Sequence, residues 1–212
     1  MRALWVTVLL TSAALAGCGD EPEQPSAIGT EAPVIVPEGP GATARTATPG
    51  ERLGQVPPTP TAADVRFAEG MIPHHRQALE MAGLAAGRTT TASVLGFAQQ
   101  IAISQQPEIT IMSEWLTGLG RRVPSGHDHG GGMEGYGMAT EDELKALRAA
   151  EAGAFDRMFL QLMIRHHEGA LKMAEEALAG GKDQRMRLLA RDVYAGQSIE
   201  IARMRKILDQ LG

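Results

Sequence analysis

Phe67, Met71, His74, Ala78, Met81 and Ala85 follow one another at alternating steps of four and three, the spacing that keeps side chains on one face of an α-helix. The stripe opens after Thr61-Ala-Ala-Asp64, which has the form of a capping box, and it stops at Gly87 and the threonines 89–91. A second helix is predicted from about Ala92 to Leu119, with Ala98, Ile101, Gln105, Glu108, Met112, Trp115 and Leu119 on its stripe. Pro107 lies inside it and is expected to bend it or cost it one backbone hydrogen bond. Thr140-Glu-Asp-Glu143 is another capping box and opens a short helical piece. A third long helix, from about Phe155 to Leu178, carries Phe159, Met163, His166, Ala170, Met173 and Ala177, and Gly180-Gly181 ends it. The fourth runs from about Gln184 to Leu211, striped with Ala190, Val193, Gln197, Glu200, Met204, Ile207 and Leu211. Two helical hairpins that each expose one apolar stripe bury both only by facing each other. The expected fold is therefore all-α, an antiparallel four-helix bundle over residues 61–212 with approximate two-fold symmetry.

The hairpins are copies of one another. Met71-Ile-Pro-His74-His75 returns 92 residues later as Met163-Ile-Arg-His166-His167, and the register then holds without a gap. Residues 64–120 and 156–212 share 19 identities in 57 positions, and the retained residues include four of the six histidines. The segment between the copies, residues 121–139, is glycine-rich and contains His127, His129, Met133 and Met138.

Composition changes abruptly before the bundle. Residues 1–18 combine Arg2, an apolar run too short for an ordinary transmembrane span, and Leu15-Ala16-Gly17-Cys18, which resembles a bacterial lipobox. Cys18, the only cysteine, is the expected lipidation site. That places the chain in the cell envelope, anchored on the extracytoplasmic side of a bacterial membrane. Residues 19–60, rich in Pro, Gly, Thr, Ala and Glu, read as a disordered tether that cannot bury enough apolar surface to offset its ordering entropy. A net charge of −5 with interspersed signs gives no nucleic-acid footprint. No nucleophile with its base and no phosphate-cradling loop is legible, so an enzyme is not expected.

The candidate chemistry lies on the helical stripes. Met71 stands one turn from His74 and His75, Met163 one turn from His166 and His167, and Glu108 with Met112 and Glu200 with Met204 repeat the spacing on the partner helices. Each hairpin thus offers imidazole, thioether and carboxylate to the interior. Met81 and Met173 extend the set, although Met at this spacing also serves as core filler. The competing explanation is a structural polar seam, with Gln105 or Glu108 satisfying the histidines. Burying paired imidazoles, carboxylates and thioethers in a small core is costly unless something binds them, so metal binding is the reading preferred. Thioether sulfur is a poor ligand for hard cations and a good one for Cu(I), while imidazole accepts Cu(I), Cu(II) and Zn. Di-iron bundles place Glu three residues before His. Met71 and Met163 occupy that slot here, which moves the expectation from iron to copper. His127, His129, Met133 and Met138 form a second, loop-borne candidate set, for which a solvated linker is the alternative.

The pattern Met-Ile-x-His-His-x-x-Ala-x-x-Met-Ala, followed by Gln-x-x-Glu-Ile-x-x-Met, resembles the bacterial family known as domain of unknown function 305, over about Val65 to Leu211. The resemblance implies a ferritin-like four-helical fold on secreted or lipid-anchored proteins, with copper bound in the periplasm by some members through Met and His. Its signature falls on Met71, His74, His75, Met81, Glu108 and Met112, and on Met163, His166, His167, Met173, Glu200 and Met204. The expected function is storage, buffering, delivery or resistance toward copper, chiefly Cu(I), with copper-donor or copper-acceptor proteins as partners and oligomers allowed. The alternatives are a ferritin-like metallo-oxidase using iron or manganese, zinc as the bound metal, and an envelope interaction module that binds none.

Overall fold

The computed structural model describes residues 35–36, 43–46, 58–125 and 135–211. Residues 1–18 with Cys18, most of the segment 19–60, and His127, His129 and Met133 lie outside the described residues. The chain forms two compact units, residues 1–54 and 55–212. In the first, β1 (Ile35–Val36) and β2 (Arg45–Thr46) pair antiparallel, Ile35 with Thr46 and Val36 with Arg45. Three of the four paired residues, Ile35, Val36 and Thr46, are β-branched, the type that favours strands.

The second unit is helical: α1 (Ala62–Leu84), α2 (Ala92–Gly118), α3 (Glu141–Ala149), α4 (Ala152–Gly180) and α5 (Gln184–Gln210). Helix α1 packs on α2 and α4 on α5, while α1 and α4 join the two hairpins face to face. Contact between α2 and α5 is much sparser. Both predicted capping boxes form: Thr61 with Asp64 starts α1, and Thr140 with Glu143 starts α3. Helix α2 continues through Pro107, which costs it one backbone hydrogen bond. Pro73, which is buried, is likewise carried within α1. Each ring leaves the carbonyl four residues earlier without its helical donor, and tertiary packing overrides that local cost.

The two copies also pin one another's turns. The Asp64 carboxylate accepts from Thr61 and, across the bundle, from the backbone amides of Lys182 at 3.0 Å and Asp183 at 3.2 Å, so it closes the α4–α5 turn. Its counterpart Asp156 accepts from the Thr91 hydroxyl at 2.6 Å at the α1–α2 turn. Burial alone raises the Asp64 carboxyl, but the donors of Lys182, Thr61 and Asp183 outweigh it and hold the group below its ordinary value. Among the described residues no helix is long and apolar enough to cross a membrane.

Candidate metal centre

The stripe residues of α1 and α4 meet at mid-length. His74, His75, His166 and His167 are all fully buried, and so are Met71, Met81, Met112, Met163 and Met204, with Met173 at 5% exposure. The His74 and His166 rings lie 3.7 Å apart between centroids at an interplanar angle of 33°. Two-fold symmetry is retained in detail, since the His74–His75 and His166–His167 pairs both show 6.3 Å and 52°.

Each second histidine is held by the carboxylate of its own hairpin. His75 Nε2 lies 2.5 Å from Glu108 Oε2 and His167 Nε2 lies 2.8 Å from Glu200 Oε2. Glu108 thus reaches its partner as Glu200 does, in spite of Pro107. His74 Nε2 donates to the Tyr136 carbonyl oxygen at 2.9 Å. A carbonyl can only accept, so the proton of a neutral His74 ring sits on Nε2 and its lone pair on Nδ1. Five ring nitrogens are buried with no hydrogen-bond partner: Nδ1 of His74, His75 and His167, and both nitrogens of His166. Gln105 and Gln197, buried beside them on the α2 and α5 stripes, leave all four amide atoms unpartnered. The glutamines therefore do not satisfy the histidines, and the structural seam weighed from the sequence is only half built. Burial, reinforced by the neighbouring His75 and His167, pushes His74 down to about 3. Burial, together with His74, His167 and His75, also holds His166 well below its ordinary value. Both rings are neutral in the physiological range.

The thioethers divide by the same symmetry. Met71, Met112 and Met173 belong to one core cluster, and their counterparts Met163, Met204 and Met81 to the other. The cluster of Met71 also buries Met186, whose repeat counterpart in the other cluster is Val94. Among the described residues no three His, Cys, Asp or Glu side chains converge on a common point. The donor set is thus nitrogen and thioether, with each carboxylate spent on a histidine.

A strap formed by Tyr136–Ala139 lies over the histidine layer, and no residue spacing foretells it. Besides the bond from His74, Gln77 Nε2 donates to the Ala139 carbonyl at 2.9 Å and the Ala139 amide donates to Gln77 Oε1 at 2.7 Å. On α4 the strap needs glycine on both sides of the contact. A Cβ at Gly169 would stand 1.7 Å from the Tyr136 carbonyl oxygen, and one at Gly137, whose φ is +70°, would stand 2.0 Å from that of Arg165. Gln77 and Gly169 are repeat equivalents, so one copy grips the strap by its amide and the other yields space to it. Arg165, next to His166, donates to Glu143 at 2.7 and 2.5 Å and to the Met138 carbonyl at 3.3 Å. Met138, a loop candidate from the sequence, is thereby a half-buried member of the strap.

No curated protein sequence matches the chain. Among solved structures, a family member from Streptomyces coelicolor that carries the name of a secreted protein is 32% identical, with a TM-score of 0.65 over 71% of this chain and 92% of the other. A fragment from Deinococcus radiodurans is also 32% identical, with a TM-score of 0.64 over 72% and 99%. CopM in its Cu(II)-bound form is 33% identical, with a TM-score of 0.61 over 70% and 97%, and CopM is also known in Cu(I)-bound and silver-bound forms. Residues 64–208 match the family described as Domain of unknown function (DUF305), and the chain belongs to that family.

Proposed function

We propose that this protein binds copper, chiefly as Cu(I), in the cell envelope, and that it stores, buffers or delivers the metal. The observation that carries the reading is the buried histidine layer with five partnerless ring nitrogens, in a core that also buries methionines on both repeats. Unmet buried polar atoms cost about 1–3 kcal/mol each, a cost a ligand removes. Neutral imidazole and thioether together suit Cu(I), and no thiolate is required. CopM, a relative with Cu(I)-bound, Cu(II)-bound and silver-bound forms, supports the same chemistry.

In this reading His74, His75, His166 and His167 supply imidazole nitrogen, at most two of them to one ion as the core is packed, and Met71, Met112, Met173, Met163, Met204 and Met81 supply thioether sulfur. The Nδ1 atoms of His74, His75 and His167 are the free ring donors, because Nε2 is engaged elsewhere. Glu108 and Glu200 orient His75 and His167 in this reading, as carboxylates commonly orient metal-bound histidines. The Tyr136–Ala139 strap orients His74 and covers the layer. Copper is the cargo, and the chain's own residues bind it, exclude water and keep His74 and His166 neutral.

The secreted-protein name of the Streptomyces relative supports an extracytoplasmic location, and the Leu15-Ala16-Gly17-Cys18 motif supports lipidation at Cys18. The helical arrangement is of the ferritin-like four-helix type in the same reading. Copper stoichiometry measured by equilibrium dialysis tests the assignment of residues. His166→Ala with His167→Ala should lower it more than His127→Ala with His129→Ala; the opposite ranking would move the function to the inter-repeat loop.

A further inference from the structure

We propose that the hollow between the N-terminal half of α2 and the C-terminal half of α5 binds a small amphipathic anion, a carboxylate or phosphate head on an apolar body. The hollow has a volume of 570 Å³. Sites for small organic ligands span about 300–1,000 Å³. Phe97, buried, and Ile207, half-buried, give it an apolar wall. Gly96 leaves the wall open, since a Cβ there would meet nothing within 4 Å.

The charge at its rim has one sign. Arg203 and Lys206 line it, and neither forms an ion pair among the described residues. No acidic residue lines the hollow, and α2 carries no charged residue from Ala92 to Pro107. Ser93, Gln100 and Gln210 supply neutral polar groups.

The duplication provides an internal control. At the opposite end of the same seam, the repeat equivalents of Ser93, Gly96, Lys206 and Ile207 are Arg185, Leu188, Glu114 and Trp115. There Arg185 pairs with Glu114 at 3.1 Å across the two helices, and the Trp115 indole is buried. One copy thus closes its seam with its own carboxylate and an aromatic ring. The other has exchanged the Arg185–Glu114 pair for Ser93 and Lys206, the indole for a smaller side chain and Leu188 for glycine. Among the described residues Arg203 and Lys206 therefore face no carboxylate of the chain; a ligand's carboxylate or phosphate supplies that charge and its apolar body the missing volume. This site is separate from the histidine layer and does not depend on its metal chemistry.

The test is titration of the ¹⁵N-labelled full chain with octanoate and octyl phosphate, with 1-octanol and octyltrimethylammonium as controls. The amides of Gly96, Phe97 and Ile207 should shift with one or both anions, at least about tenfold more tightly than with octanol. The tighter of the two anions identifies the head group. Gly96→Leu should fill the hollow, and Arg203→Ala with Lys206→Ala, both at exposed positions, should remove its charge; each should weaken binding at least about tenfold. The absence of shifts up to about 5 mM, equal binding of octanol, or undiminished binding in the double alanine variant would overturn the proposal.

Discussion

His74 and His166 stand 92 positions apart in the chain, yet their tilted rings lie 3.7 Å apart between centroids, and neither Nδ1 has a partner. A structural histidine pair would be satisfied on both sides; this one is not. His166, with both nitrogens unmet, therefore destabilises the metal-free fold. His166→Leu, similar in volume and without polar atoms, should raise metal-free stability in urea unfolding by about 1–2 kcal/mol while lowering copper binding. A loss of stability of the same size would restore the purely structural role.

Glu108 and Glu200 meet their histidines at nearly the same distance, 2.5 and 2.8 Å, from opposite hairpins. Glu108→Ala and Glu200→Ala should each weaken copper binding by about 10–100-fold, the usual effect of losing a carboxylate that orients a metal-bound histidine. Competition titration of the two variants measures it. The two losses should be alike, because the symmetry places the carboxylates alike; an unaffected affinity would assign both groups to packing alone.

Gly169→Ala tests the strap. Its methyl would collide with the Tyr136 carbonyl, so the strap must lift or α4 must shift. Hydrogen exchange of the Ala139 amide, which donates to Gln77, should accelerate at least about tenfold, with about 2 kcal/mol lost in overall stability. Gln77→Ala should accelerate the same amide without the steric clash. Unchanged exchange in both would mean that the strap is held elsewhere.

Acid should weaken the fold first at the histidine layer, because His74, neutral when folded down to about 3, takes up a proton in the unfolded chain from 6.5 downward, and then at the helix-end carboxylates. Hydrogen bonds from Arg165, opposed by burial and reinforced by Thr140, hold Glu143 at about 2 against an ordinary 4.5. A carboxylate depressed in the folded state contributes stability that is full above its ordinary value and lost as pH falls through its folded one. The Glu143 contribution should therefore fade between 4.5 and about 2, and the Asp64 contribution should fade below the ordinary carboxylate value of 3.8. Tm measured across that range should fall less steeply for Glu143→Gln and Asp64→Asn than for the parent chain. Parallel slopes would mean that these carboxylates do not govern acid sensitivity.

The α-helical stripes were legible because burial repeats with the helical period, and the duplicated Met and His positions exposed the symmetry that the ring geometry retains. Buried Met71, Met163, His74 and His166 all lie on the stripes read from spacing. Pro107 lies on the exposed face of α2, where the ring costs the helix one backbone bond without ending it. The strap was illegible for a different reason. Its bonds run to the carbonyls of Tyr136 and Ala139, which any residue carries, and its fit depends on Gly137 and Gly169, whose need appears only when two backbones touch. Asp156, identical to Asp64 in the repeat, could have been found from that identity alone.

The central claim concerns soft-metal binding by the buried histidine and methionine layer, and Cu(I) titration of the chain against a competing chelator tests it most directly. The account predicts at least one Cu(I) per chain with a Kd well below about 1 μM, lost when His74, His75, His166 and His167 are all replaced by alanine. Binding no tighter than about 1 mM, or tight binding that survives the fourfold replacement, would contradict it.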